Sequence, residues 1–195
     1  MGFILVDFET TGIAEDDYPI EIGMLAMDKH FVAISSFGRL IAWPELLPAN
    51  GYNKDEAGAG QWGWEGRHKR AFDVHNINHI SLADKGLDPA DVVEQALAWI
   101  HSLGFKHAPT LVSDNIIFEH RMAKKLFGED YPFHYHGFDI YNLLVMADLY
   151  NQRIEKPHRA LPDCHLEYRE LIRALQILGH FDRQGKDYLS KVFKQ

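Results

Sequence analysis

The residues in this sequence best suited to chemistry are carboxylates in three short segments. Asp7 and Glu9 lie in Val-Asp-Phe-Glu-Thr-Thr-Gly, Glu119 in Asp-Asn-Ile-Ile-Phe-Glu, and Asp163 in His-Arg-Ala-Leu-Pro-Asp. Asp7 and Glu9 flank Phe8 in an apolar run with strand character, so both side chains point to one face. Two carboxylates side by side on such a strand repel and lose hydration unless a cation lies between them. The pair therefore reads as metal-ligating, the competing reading being an exposed strand end. Thr10, Thr11 and Gly12 then turn the chain, and their amides and hydroxyls suit a phosphate or a sugar hydroxyl; a plain turn is the bland alternative.

The other candidates carry their own alternatives. Glu119 reads as a further oxygen ligand or as a solvated helix residue. Asp163 reads as a ligand or as a favourable charge at a helix N-terminus. His158 suits base chemistry near neutral pH, although it is one of twelve histidines, most of which need no special role.

The elements that must position these groups read as follows. Residues 3–8, 20–27 and 31–43 form three successive strands, an antiparallel start. Residues 44–70 hold five glycines, two prolines and two tryptophans without a period, and read as a long loop insertion. Asp88 caps a helix that Pro89 opens and Gly104 stops, with Val93, Leu97 and Ile100 on one apolar face. A short strand at 111–113 leads to a helix at 115–127, for which Asp114 is the expected N-cap. A strand end at 138–140 leads to a helix at 141–150, and a last helix spans 162–178 with Leu171, Leu175 and Leu178 on one stripe. The order predicts an α/β fold with a mixed sheet flanked by helices. Neither a Gly-x-Gly-x-x-Gly nor a Walker loop is present.

The 195 residues fit one domain, 1–195, with its insertion at 44–70. The net charge of −8 argues against a general nucleic-acid coat and against tight non-specific duplex binding, and is compatible with a weakly held, processed substrate. Cys164 is the single cysteine, which predicts a reducing, cytoplasmic setting and a small buried side chain. No apolar run approaches the ~20 residues of a membrane span. The start has neither the basic region of a signal peptide nor, with Val6, the Ser or Thr of a myristoylation motif.

Asp-Phe-Glu-Thr-Thr-Gly resembles the first exonuclease motif of the DEDDh, or DnaQ-like, 3′→5′ exonucleases. That family carries Asp-x-Glu, then Asn-x-x-Phe-Asp, then His-x-Ala-x-x-Asp. The third motif stands intact as His158-Arg159-Ala160-Leu161-Pro162-Asp163, and residues 71–77 are similar to the family's Val-His-Gly-Ile segment with Asn76 in place of Gly. The resemblance runs from about residue 3 to 180 and leaves 44–70 unmatched. It departs in the second motif, where Glu119 replaces Asp and Asp114 replaces the common His. Glu reaches about 1.5 Å further, and Mg²⁺ prefers near-octahedral oxygen ligands at about 2.0–2.1 Å. Altered efficiency and a preference for the more tolerant Mn²⁺ follow as expectations, with Asp139 in reserve as the missing carboxylate.

The resemblance implies a ribonuclease-H-like fold and two divalent ions, Mg²⁺ or Mn²⁺, held by Asp7, Glu9, Glu119 and Asp163. It further implies His158 as acceptor of the proton from the attacking water. Thr10, Thr11, Gly12, Val74, His75, Asn115 and Phe118 are the implied substrate contacts. The implied reaction is in-line hydrolysis of the terminal phosphodiester of single-stranded nucleic acid, DNA favoured, giving nucleoside 5′-monophosphates. The implied partners are 3′ ends and, for any proofreading role, a polymerase or other replication or repair protein on another chain. Two alternatives stay open: an exoribonuclease or oligoribonucleotide trimmer, and a catalytically weakened end-binding subunit. The basic run at 67–70 and Trp62 and Trp64 are suited to phosphates and bases or to plain loop packing. His134-Tyr135-His136 reads as structural, on a strand.

Overall fold

The computed structural model describes residues 2–47, 69–77 and 79–180. Most of the expected insertion, with Trp62, Trp64, Arg67 and His68, lies outside the described residues. Five strands form one sheet in the order β3-β2-β1-β4-β5. Strands β1 (Phe3–Thr10), β2 (Pro19–Met27) and β3 (Ala33–Leu40) make an antiparallel meander. Strands β4 (Thr110–Ser113) and β5 (Phe138–Asp139) add to it in parallel. The α-helices among the described residues are α1 (Lys69–His75), α2 (His79–Lys85), α3 (Pro89–Ser102), α4 (Ile116–Phe127), α5 (Ile140–Met146) and α6 (Ala160–Ile177). This is the expected ribonuclease-H-like α/β arrangement.

Strand alternation sorts the core into two layers and places the carboxylates. Ile4, Val6 and Phe8 join Val92, Ala96 and Ile100 of α3 and Met122 and Leu126 of α4. Leu5 faces the other way, onto Ile140 and Leu144 of α5 and Cys164 and Leu171 of α6. Asp7 and Glu9 continue the Leu5 row, so the carboxylates lie on the sheet face that α6 covers. Each fully buried Leu or Ile contributes roughly 1.5–3 kcal/mol, so this layering is strongly fixed. Asp7 and Glu9 are carried into the interior by their apolar neighbours.

Several boundaries differ from expectation, each for a local reason. β3 starts at Ala33 because Phe31 adopts φ 62 in a turn in which Asp28 Oδ1 accepts from the His30 and Val32 amides (2.8 and 3.0 Å). The Phe31 ring instead stacks on Phe3 in the core. At the other end β3 stops at Leu40, and Ile41 forms an isolated parallel bridge with Leu87. The buried face of α3 is Val92, Ala96 and Ile100, with Val93 and Leu97 only partly buried. Asp88 caps α3 as expected, accepting from Ala90 N at 2.9 Å. Helix α5 ends at Met146, and Asp148 follows with φ 55. Helix α6 begins at Ala160, not Pro162, because β2 supplies its cap, as described below. Pro162 is tolerated in the first turn, where its missing N–H has no helical acceptor. His134-Tyr135-His136 is not in a strand; Tyr135 is exposed, and the His136 amide donates to His134 Nδ1. The short helices α1 and α2 carried no readable period.

Candidate metal centre

A glycine in β2 brings the third segment to the first. Asp7 pairs across the ladder with Gly23, and a Cβ on Gly23 would lie 2.3 Å from the Ala160 carbonyl carbon. Only a bare backbone lets the start of α6 lie flat on the sheet here. Glu21, paired with Glu9 in the same ladder, fixes that start from below. Its carboxylate accepts from Arg159 Nε at 3.0 Å and from a terminal guanidinium nitrogen at 2.6 Å, and from Ala160 N at 2.9 Å. The last bond is an N-cap supplied by tertiary structure, since Arg159 in the N-cap position makes none of its own. Asp163 follows one turn later, on the sheet-facing side and 1% exposed.

The second segment enters beside β1. Leu5 pairs with Val112 in the parallel ladder, so Asp114 continues alongside Asp7, and Glu119 returns from the first turn of α4. Asp114 is not the N-cap of α4. Asn115 takes that position without a side-chain bond, and its amide donates to Ser113 Oγ at 2.9 Å. Asp114 instead accepts from Arg153, and from Lys156 at 3.0 Å, which hold its carboxyl below the usual range although burial alone would raise it. Asp139, the reserve carboxylate, caps α5 through Asn142 N at 3.2 Å.

Asp7, Glu9, Glu119 and Asp163 are all buried. Burial pushes the Asp7 carboxyl from 3.8 up to about 7, with Asp163 and Asp114 adding to it and Lys156 opposing. Burial, then Asp7, Asp163 and Glu21, push Glu9 up to about 8. Glu119 is raised well above the usual range by burial and by Asp7, Glu167 and Asp114, and Asp163 is raised by burial. Glu119 Oε2, Asp163 Oδ1 and Glu167 Oε2 are buried and have no hydrogen-bond partner among the described residues. Carboxylates packed this way call for added positive charge. Ligand atoms of Glu9, His158 and Asp163 lie within 4.8 Å of one another. Carboxylate oxygens, with one imidazole nitrogen beside them, suit a hard divalent ion such as Mg²⁺ or Mn²⁺.

Two participants carried no motif. Glu167 is fully buried and takes a hydrogen bond from Lys156, whose Nζ also lies 3.5 Å from Asp7 Oδ1. The acidic stripe Asp163, Glu167, Glu170 on the buried face of α6, at i, i+4 and i+7, was the available signal. Lys156, in a loop two residues before His158, left none.

The expected substrate contacts fall into two groups. Thr11 is buried, its hydroxyl donating to Asp17 Oδ1 at 3.1 Å and accepting from Tyr18 N at 2.9 Å, and Thr10 Oγ1 donates to Gly12 O at 2.7 Å. These hydroxyls stiffen the turn, and Gly12 is bare because a Cβ there would lie 2.4 Å from Asp17 Oδ2. His75 is buried behind the turn. Its Nδ1 accepts from Ile77 N at 3.0 Å, so the ring proton sits on Nε2, which donates to Thr10 O at 3.2 Å. Burial lowers its pKa. Asn76, at the usual glycine position, has φ 54, a conformation Asn tolerates. Val74, Asn115 and His158 are exposed and Phe118 is half-buried, with Arg121 over its ring. A cavity of about 420 Å³ lies against Asp114, Asn115, Ile117, Tyr141 and Arg153. Cys164 is fully buried, as expected.

Fold and site together define a ribonuclease-H-like α/β domain with a buried carboxylate cluster at its sheet face. Solved structures of exonuclease I are among its structural neighbours. Exonuclease I from Methylocaldum szegediense matches with a TM-score of 0.62 at 17% identity, covering 97% of this chain and 44% of that one. The structure of exonuclease I described for its processivity matches with a TM-score of 0.59 at 18% identity, over 97% and 45%. The zinc-bound E. coli exonuclease I complex with single-stranded DNA matches with a TM-score of 0.59 at 18% identity, over 93% and 43%. The chain thus spans less than half the length of these proteins, and at such identity the likeness establishes the fold. No protein-family model matches the sequence, and no curated protein does. Among the described residues no helix is long and apolar enough to cross a membrane.

Proposed function

We propose that this chain is a divalent-metal-dependent 3′→5′ exonuclease acting on single-stranded nucleic acid, DNA in preference, and releasing nucleoside 5′-monophosphates. The observation that carries this reading is the convergence of Asp7, Glu9, Glu119 and Asp163, buried and short of positive charge, beside an exposed histidine. The fold shared with exonuclease I, solved with single-stranded DNA, supports the substrate class.

Asp7, Glu9 and Asp163 are the residues that would hold a divalent ion, with Glu119 approaching from the far side of Asp7. Such an ion, when bound, neutralises the carboxylates and stabilises the negative charge that builds on the phosphate oxygens. His158 accepts the proton of the attacking water at an imidazole nitrogen. The water oxygen bonds to the terminal phosphorus, the bond from phosphorus to the 3′-oxygen of the preceding nucleotide breaks, and that oxygen takes up a proton. The shortened strand keeps a 3′-hydroxyl, and the released nucleotide keeps its 5′-phosphate. Arg153, and Ile117 and Tyr141 across the adjoining cavity, supply a charge for phosphate and faces for a base.

The test is digestion of 5′-labelled single-stranded DNA and RNA of one sequence with Mg²⁺, Mn²⁺ or EDTA, alongside Asp7→Ala. A metal-dependent ladder shortening from the 3′ end, absent in the variant, supports the proposal, and faster shortening of RNA would move the assignment to an exoribonuclease. Retained binding of labelled ends without a ladder would contradict it and leave an end-binding module.

A further inference from the structure

Lys156 stands inside the cluster where a cation is called for. Its Nζ lies 3.5 Å from Asp7 Oδ1 and 3.0 Å from Asp114 Oδ2, and it donates to Glu167 Oε1. An ammonium has three donors and no acceptor, so three carboxylates taking one proton each use it completely. Among the described residues Glu167 forms an ion pair only with Lys156, although Glu167 is fully buried. The ammonium is therefore the charge that opposes the burial of Glu167, a burial strong enough to keep its carboxyl raised well above the usual range.

On the other side of Asp7 the ammonium acts only at longer range, lowering Glu9 and Asp163 against the effect of burial. Glu9 and Asp163 form no ion pair with a lysine or arginine among the described residues. Asp163 Oδ1 is buried without a hydrogen-bond partner among the described residues, and the ligand atoms of Glu9, His158 and Asp163 cluster within 4.8 Å. Asp7 thus divides the site into one half already filled by Lys156 and one half awaiting a cation. A divalent ion placed among Asp7, Asp114 and Glu167 would share its oxygens with the ammonium and be repelled by it.

Resting on the reading of the cluster as a metal centre, we propose that Lys156 occupies one of its two cation positions. The chain then takes a single divalent ion, held by Asp7, Glu9 and Asp163, one fewer than the family resemblance implies. Lys156 is a positioning residue here, a fixed charge that orders Asp7, Asp114 and Glu167.

The experiment counts bound Mn²⁺ by the loss of the free aqua-ion signal in electron paramagnetic resonance. It compares the full chain with Lys156→Met and Lys156→Arg, folding being checked by circular dichroism. The proposal expects one Mn²⁺ per chain for the unaltered protein and for Lys156→Arg. It expects two for Lys156→Met, with the spectrum of a spin-coupled pair as Asp7, Asp114 and Glu167 take the second ion. Two ions in the unaltered protein would overturn it without reference to any variant. A folded Lys156→Met that still binds one would overturn it too, since the second position would then not be a cation site. No bound Mn²⁺ at all in the unaltered protein would sink the metal-centre reading itself, and this proposal with it.

Discussion

Replacing Asp7 with Asn should stabilise the metal-free protein while removing its activity, and the gain should grow with pH. A carboxyl whose folded-state pKa lies above its unfolded one binds its proton more tightly when folded. Stability is therefore lost as pH rises between the two values, and stays lost above them. For Asp7 the window runs from its ordinary 3.8 to about 7, which corresponds to about 4 kcal/mol in total, roughly 3 of it between pH 5 and pH 8. That figure is already net of the Lys156 attraction, which opposes the rise. Relief of Glu9 and Glu119, both of which Asp7 pushes up, adds to it. The assay is urea unfolding of both proteins in EDTA at pH 5 and pH 8. His75, buried with a lowered pKa, contributes stability that is gained as pH rises and lost as pH falls, and it is common to both proteins. With a urea dependence of about 1–3 kcal/mol/M, the midpoint of Asp7→Asn should exceed that of the parent by at least about 1 M at pH 8 and by much less at pH 5. Equal midpoints at pH 8, or an equal advantage at both pH values, would refute the argument that this carboxylate is held in the cluster at an energetic cost.

Three further outcomes follow from the same geometry. Gly23→Ala should lower stability by about 1–3 kcal/mol, as overpacking does, and should weaken Mn²⁺ binding, because the added methyl meets the Ala160 backbone that positions Asp163; thermal unfolding and metal titration together check it. His158→Ala should lower turnover by about 10²–10⁴-fold, the usual contribution of a general base, with unchanged binding of labelled single strands in EDTA. Glu119→Asp, shortening a buried carboxylate arm near Asp7 whose Oε2 has no partner among the described residues, should shift the ratio of Mg²⁺- to Mn²⁺-supported rates toward Mg²⁺; an unchanged ratio would remove Glu119 from the ion's surroundings.

Much of this site was legible because local pattern and tertiary position coincide in it. Alternation along β1 dictates that Asp7 and Glu9 share a face, and the apolar residues around them dictate that the face is buried. Asp88-Pro89 announced α3 for similar local reasons. What could not be read depended on partners distant in sequence. The start of α6 at Ala160 is set by Glu21, 139 residues away, which a local rule sees as Pro162 opening a helix. Asp114 has the look of an N-cap, yet Arg153 and Lys156 claim its carboxylate. Thr10 and Thr11 have the look of ligand-binding hydroxyls, and the structure shows both donating within the turn, to Gly12 O and to Asp17. Lys156 carries no local signal at all, because a lone loop lysine has no period, spacing or neighbour to mark it. Glu167 was readable in principle, as a carboxylate recurring at helical spacing on the side of α6 that must face the sheet.

The most direct test of the account is the anomalous difference density of crystals grown with Mn²⁺. The account predicts a strong peak at about 2–2.3 Å from carboxylate oxygens of Asp7, Glu9 and Asp163, with His158 alongside. Empty density among those three side chains, or a peak only elsewhere on the molecule, would contradict it.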